Sequence, residues 1–385
     1  MAATIKATIS RQDLQENNAP AATITDVKHL ASYSWIEAPI PTISVPGIPP
    51  RWSPPRSDWR LPKDSGLVYI AQNAARHPEN PLEPLFRALY ITNPQFDVRS
   101  IDIVTDRNNI RKLLSFVDPS SSRNGLEAFT INVEATGNTV IFSREETATK
   151  EIIQPHEFKG FGHEFEKAYT KYQISDSTGH HRIVSYRFGG LTFIVRYEVD
   201  GYLEGNSGAA SSSKELEPDG LSGLLGSLSL SSSSSRRKAT IPAGSKMAIL
   251  QEGHTVPLES VLEIKTRVAH KPLMLSEVAP QLWVSQTPKL VRAYHRGGLF
   301  QRPQVEDVMG EIRIWEQRQQ KNLKELAALV KKIVAVVKGH GGSATIKYDS
   351  IRDALIVTKA NNKPMLPKDL YTKWDDKKES EVTGQ

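Results

Sequence analysis

Apolar and polar residues alternate most clearly between residues 191 and 200. Leu191, Phe193, Val195, Tyr197 and Val199 fall on one face of a strand, and Glu198 and Asp200 fall on the other. A second period, of three and four residues, joins Leu323, Leu326, Ala327, Val330, Val334 and Val337. It predicts a helix over 322–338, stopped by Gly339. Shorter runs predict strands over 101–104, 183–186, 261–267, 290–295, 344–348 and 354–358. A hairpin of 128–133 and 139–144 turns at Gly137-Asn138, and Gly189-Gly190 turns 183–186 into 191–200. Helical spacing recurs over 108–116, 161–172 and 276–286. Strands interleaved with helices predict an α/β fold: a single domain with a mixed central β-sheet and flanking helices.

The pattern fails in four places. Residues 1–35 carry little periodicity and read as an irregular N-terminal segment. Residues 36–65 are Pro-rich, with eight of the 24 prolines between Pro39 and Pro62. Proline lacks an N–H and fixes φ, which argues against a regular helix or a central strand there. An extended segment docked on the surface by Trp35, Trp52 and Trp59 is expected, with a disordered linker as the alternative. Residues 205–245 form a Ser-rich insertion ending near Arg236-Arg237-Lys238, with too little apolar surface to offset ordering. That triplet reads either as a solvated charge cluster or as a nuclear-import patch. Residues 375–385 are a charged tail. The folded domain is thus expected over 66–204 and 246–374.

Composition narrows the chemistry. The 385 residues include no cysteine, which removes disulfides, Cys zinc sites, iron–sulfur clusters and a Cys nucleophile, and suits a reducing compartment. A net charge of +6 favours a polyanionic partner. No apolar run is long enough for a membrane helix, and Met1 to Arg11 lacks the apolar stretch of a secretory signal.

Glu198 and Asp200 share a strand face, and two like charges side by side need a cation between them. A divalent metal is one solution; Arg196 with solvent is another. In Leu262-Glu263-Ile264-Lys265 the acid and the Lys share a face while Leu262 and Ile264 face the core. An acid on one strand and acid-x-Lys on the next is the layout of the PD-(D/E)XK nuclease core. There, carboxylates hold Mg²⁺ or Mn²⁺, which activates water and neutralises phosphate charge, and the Lys orients that water. Each half of this pattern also occurs on ordinary solvated strands.

Five segments, in order, resemble motifs of the DXO family of RNA-decapping 5′ exonucleases. They are Arg107 with Lys112-Leu113, Gly162-His163-Glu164-Phe165-Glu166, Glu198-Val199-Asp200, Glu263-Ile264-Lys265-Thr266, and Gln281 followed by Pro288-Lys289-Leu290-Val291. The resemblance implies that Glu166, Asp200 and Glu263 are metal ligands, joined by the Ile264 carbonyl. Glu198 would act through a metal-bound water. Lys265 and Gln281 would contact the scissile phosphate or its attacking water, and Arg107 would bind RNA phosphate or cap.

The implied activity is a Mg²⁺- or Mn²⁺-dependent hydrolase of single-stranded RNA 5′ ends: decapping, pyrophosphate release, 5′-to-3′ exonuclease action, or a combination. It would serve RNA quality control in the nucleus, the cytoplasm or both, and a partner exoribonuclease is among the partners the resemblance suggests. A nuclease acting on DNA and an inactive RNA- or partner-binding member are the alternatives. Convergence of these side chains within metal-bridging distance is the structural test.

Three features depart from the family pattern. Asp106 replaces its aromatic residue before the Arg, Pro280 replaces the aromatic before Gln281, and the Ser-rich insertion lengthens the gap between Asp200 and Glu263. His163, His180 and His181 read as surface histidines rather than a metal site. Tyr186-Arg187-Phe188 and Arg196-Tyr197 suit single-stranded RNA, although Phe188 and Phe193 read as strand core.

Overall fold

A computed structural model describes residues 5–14, 20–121, 126–205, 239–360 and 363–375. At its centre, Ile103–Asp106 pairs in parallel with Leu191–Val199 on one side and Thr139–Glu145 on the other. These three strands are apolar on both faces: Ile103, Val104, Ile141, Phe142, Ile194 and Val195 are all buried. A strand covered on both faces has that composition. Two antiparallel hairpins extend the centre outward. Ser177–Phe188 folds back on Leu191–Val199 through Gly189-Gly190, whose φ values of 59° and 82° suit glycine. Thr130–Thr136 folds back on Thr139–Glu145 at the expected Gly137-Asn138 turn.

Further strands complete an eleven-stranded mixed sheet among the described residues. Thr25–Ile36, Thr42–Gly47 and Ala248–Gly253 extend one side, and Ser343–Asp349, Ala354–Lys359 and Ile5–Ile9 the other. One face is covered by the helices Arg107–Val117, Leu275–Ser285 and Gln320–Gly339, the other by Glu83–Thr92 and the segment around Leu366, Leu370 and Trp374.

After Val199 the chain leaves this sheet. Gly201–Tyr202 pairs with the start of Val261–Val268, which runs parallel to Lys289–Arg296 in a second sheet. Leu275–Ser285 is the crossover helix between those two strands. Phe161, Phe165, Tyr169, Leu262, Ile264 and Phe300 form a separate core beneath it.

Several expectations need correcting. Residues 1–35 are not irregular throughout, since Ile5–Ile9 and Thr25–Ile36 are strands of the large sheet. The Pro-rich segment contains a strand, Thr42–Gly47, that lies between two others. Its ladder with Thr25–Ile36 covers only Thr42 to Ser44, so Pro46 sits beyond the point where an N–H is needed on that side. Trp35 is fully buried, but Trp59 is half exposed and anchors little. The helices Glu83–Thr92 and Met309–Arg318 were not anticipated. Most of the Ser-rich insertion (206–238) and of the tail (376–385) lies outside the described residues. Among the described residues no helix is long and apolar enough to cross a membrane.

The predicted long helix is found at Gln320–Gly339, with Leu326 fully buried and Lys331 exposed. Leu326→Ala should therefore cost about 2–5 kcal/mol in denaturant unfolding. Lys331→Ala should change stability by less than about 0.5 kcal/mol.

Candidate functional site

The site forms where the two sheets meet. Leu191–Val199 delivers Glu198 and, one residue beyond its end, Asp200. Val261–Val268 carries Glu263 and Lys265. The helix Gly162–Tyr169 brings Glu166, held in place by buried Phe165 stacked on Tyr169 at 3.9 Å between ring centroids. The crossover helix brings Gln281, and Arg107 opens the helix Arg107–Val117.

Glu263 is 2 % exposed and is the hub. One carboxylate oxygen accepts from Arg107 Nη1 at 3.0 Å, and the other accepts from Lys265 Nζ and Gln281 Nε2. Burial alone would raise its pKa, but Lys265 and Arg107 hold it at about 2. Asp200 Oδ2 accepts the Ile264 N–H at 2.7 Å. Burial, and then the Glu263 charge, push Asp200 up to about 8. Glu166 is raised well above the usual carboxylate range by burial and then by Asp200. Glu198 is also raised, chiefly by burial. Its side chain reaches solvent along two neighbouring cavities. Glu166, Glu198 and Asp200 line the larger, a cleft of about 500 Å³, together with His163 and Tyr172.

These carboxylates therefore converge, and each raises the affinity of another for a proton. A set of hard, mutually repelling oxygen donors suits a divalent cation. Their spacing does not match the expectation: among the described residues no three His, Asp or Glu side chains gather closely enough to hold an ion. Like charges stand apart, and Glu263 turns to the nearest cations instead.

The remaining expectations sort as follows. Asp106 does not oppose Arg107; its two oxygens pair with Arg196 at 2.7 and 3.0 Å. Arg196 is 1 % exposed in that pair, so it does not lie between Glu198 and Asp200. Tyr186 is buried as well. His180 and His181 are buried rather than superficial, and burial drives both well below the usual imidazole range. Only His163 of the three is exposed. Phe188 and Phe193 are core.

Sequence reading missed Gln72 and Gly179. A Cβ on Gly179 would lie 2.5 Å from Gln72 Oε1 and 3.0 Å from Glu198 Oε1, so a bare residue lets both side chains reach the cleft. No local pattern marks either residue, because the fold brings them together across more than a hundred positions.

The architecture is the α/β fold of the Rai1 and Dxo1 proteins. A Scheffersomyces stipitis Rai1 structure, solved with (3′-NADP)+ and calcium, superposes with a TM-score of 0.59 at 12 % identity, covering 97 % of this chain and 98 % of that one. A Candida albicans Rai1 structure with pU5 and Mn²⁺ gives 0.56 at 11 % identity, covering 97 % and 98 %. A K. lactis Dxo1 structure with manganese gives 0.51 at 11 % identity, covering 92 % and 98 %. Residues 4–373 match the family described as a domain of unknown function, DUF8563, and the chain belongs to that family. No curated protein matches it in sequence.

The raised pKa of Asp200 has a measurable consequence in metal-free protein. Its folded value of about 8 stands above the ordinary 3.8, so its contribution to stability is complete below about pH 4 and is lost as pH rises through 8. Asp200→Asn keeps an oxygen for the Ile264 N–H and removes the charge. Thermal melts should show wild type losing stability from pH 5 to 8 more steeply than Asp200→Asn.

Proposed function

We propose that this protein is a metal-dependent hydrolase acting on single-stranded RNA 5′ ends. The observation that carries the reading is the convergence of Glu166, Glu198, Asp200 and Glu263 with Lys265 and Gln281 in a fold shared with Rai1 and Dxo1. Relatives of that fold have been solved with Mn²⁺, with calcium and with pU5, which supports a divalent ion and an RNA end as the ligands here.

In this reading Glu166, Asp200 and Glu263 would hold Mg²⁺ or Mn²⁺ only by closing on it, since they stand too far apart here to share an ion. The ion would supply Lewis acidity and charge neutralisation at the phosphate. The protein's own residues do the rest. Lys265 is kept protonated by Glu263 and Asp200 beside it, so it presents a fixed positive charge to the phosphate under attack. Gln281, donating to Glu263, sits within the same hub and orients a water or phosphate oxygen. Glu198 has a raised pKa and lies open to the cleft, so it can accept a proton from water directed at phosphorus. Arg107 bridges the hub to the entering substrate, its planar guanidinium offering further donors to phosphate. The cleft would place the reacting end beside Glu166, Glu198 and Asp200, and positioning is a large part of catalysis for phosphoryl chemistry.

The test offers one RNA sequence with four 5′ ends: monophosphate, triphosphate, unmethylated cap and NAD cap. Wild type with Mn²⁺ or Mg²⁺ should process at least one end. Lys265→Ala and Glu263→Gln should each lose about a hundredfold or more in rate while their circular dichroism stays native. Absence of turnover on all four, with RNA binding retained, would favour a binding protein. Cleavage of single-stranded DNA in preference to every RNA would favour a DNA nuclease.

A further inference from the structure

The second sheet carries a groove on the side of the Pro-rich segment. Trp59–Arg60 pairs antiparallel with Leu299–Phe300, so the stretches 52–60 and 299–305 lie side by side at that point. Beyond it the ladder stops. Pro54, Pro55 and Pro303 lack the N–H groups that would continue it. The two stretches part and leave an open groove of about 560 Å³, lined by Trp52, Pro54, Arg302, Pro303, Gln304 and Val305. A volume of that size suits a nucleotide-sized group, for which pockets run from roughly 300 to 1,000 Å³.

Two kinds of side chain give the groove a chemistry. Trp52 is only half-buried, and its ring is backed by Tyr169 and Phe165 at 5.9 and 6.4 Å between centroids. Those neighbours fix the indole, so it offers a flat apolar surface at little further ordering cost. The second kind is cationic. Residues 51–60 and 299–305 contain four arginines against one acid, Asp58. Arg51 pairs with Glu204 at 2.7 Å, and Arg60 donates to the Gly297 carbonyl at 2.8 Å. Arg56 and Arg302 are exposed and have no ion pair among the described residues. An aromatic surface flanked by uncommitted arginines is the means by which proteins hold single-stranded nucleic acid without reading its sequence.

The groove also lies on a path from the long cleft. Arg51–Trp52 pairs with Thr170–Lys171, and Thr170 and Pro50 line the cleft that holds Glu166, Glu198 and Asp200. Pro50 on the cleft and Trp52 on the groove are two residues apart, about 7 Å of extended chain. Lys171, opposite Arg51 in that ladder, is exposed. Charge alone would suit an acidic peptide equally; the stacking surface and the adjoining cleft favour RNA.

We propose that this groove is a second RNA-binding site, which holds nucleotides on the 3′ side of the end that enters the cleft. One base stacks on Trp52, and Arg302 and Arg56 meet backbone phosphates. The choice of RNA rests on the hydrolase reading above. Long RNA thereby gains contacts that a short fragment confined to the cleft does not make.

The test is binding, in metal-free protein with chelator present, so that it does not depend on turnover. Two 5′-monophosphate RNAs are compared, of about 4 and about 15 nucleotides. The longer should bind wild type about tenfold or more tightly. Trp52→Leu keeps an apolar side chain against Phe165. It should weaken the longer RNA about tenfold and leave the shorter as it was. Arg302→Ala and Arg56→Ala, both at exposed positions, should each reduce the slope of log affinity against log salt by about 0.7, for the longer RNA alone. Lys331→Ala, exposed on the long helix, should alter neither RNA. Circular dichroism and thermal melts check that every variant folds. With Mn²⁺ and subsaturating RNA, Trp52→Leu should narrow the advantage of the longer substrate about tenfold. Equal affinity for the two lengths overturns the proposal, as does long-RNA binding indifferent to Trp52 and Arg302. An acidic peptide that binds with Arg302 dependence where RNA does not also overturns it and assigns the groove to a protein partner. If no RNA end reacts but the longer RNA binds through Trp52 and Arg302, the hydrolase reading falls while the groove's ligand stands. If ends react and the variants change no affinity, the groove proposal falls alone.

Discussion

The Glu263 carboxylate joins the parts of this molecule that matter for function. It is buried, it is charged, and three donors from three different elements satisfy it: Arg107 from the helix beneath the large sheet, Lys265 from its own strand, and Gln281 from the crossover helix. A buried charge is tolerated only when it is fully paired, and removing one partner of such a pair typically costs about 3–5 kcal/mol. The requirement fixes the relative placement of both sheets at their junction. Asp200 then follows from the chain leaving one sheet for the other, and its weakened acidity follows from burial and then from standing beside Glu263.

A second buried pair performs the same service beside the hub. Arg196 is gripped by both oxygens of Asp106 and donates to the Pro81 carbonyl at 2.7 Å and to Tyr33 Oη at 3.2 Å. These bonds tie the central parallel strands to the segment bearing Gln72 and Asn73. The acid beside Arg107, a departure from the family pattern, thus leaves Arg107 for Glu263, and it leaves the helix start without a side-chain cap.

Much of this was legible in the chain itself. Alternation fixed the faces of Leu191–Val199 and Val261–Val268, so Glu198 with Asp200, and Glu263 with Lys265, could be placed together from two-residue periodicity alone. The long helix followed from its apolar spacing, and two hairpins followed from their glycine turns. These are local properties, set by backbone geometry and side-chain shape within a few residues. The strands at Ile5–Ile9, Thr25–Ile36 and Thr42–Gly47 were not legible, because they are stabilised by neighbours far away in sequence that override weak local pattern and proline content. The same holds for the burial of His180 and His181, for Asp106 choosing Arg196, and for Gln72 and Glu198 both flanking Gly179. Sequence determined which chemical groups were available and which faces they occupied. Tertiary structure alone decided which charges met, because ion pairing depends on distance and desolvation, and both are set only when the sheets close on one another.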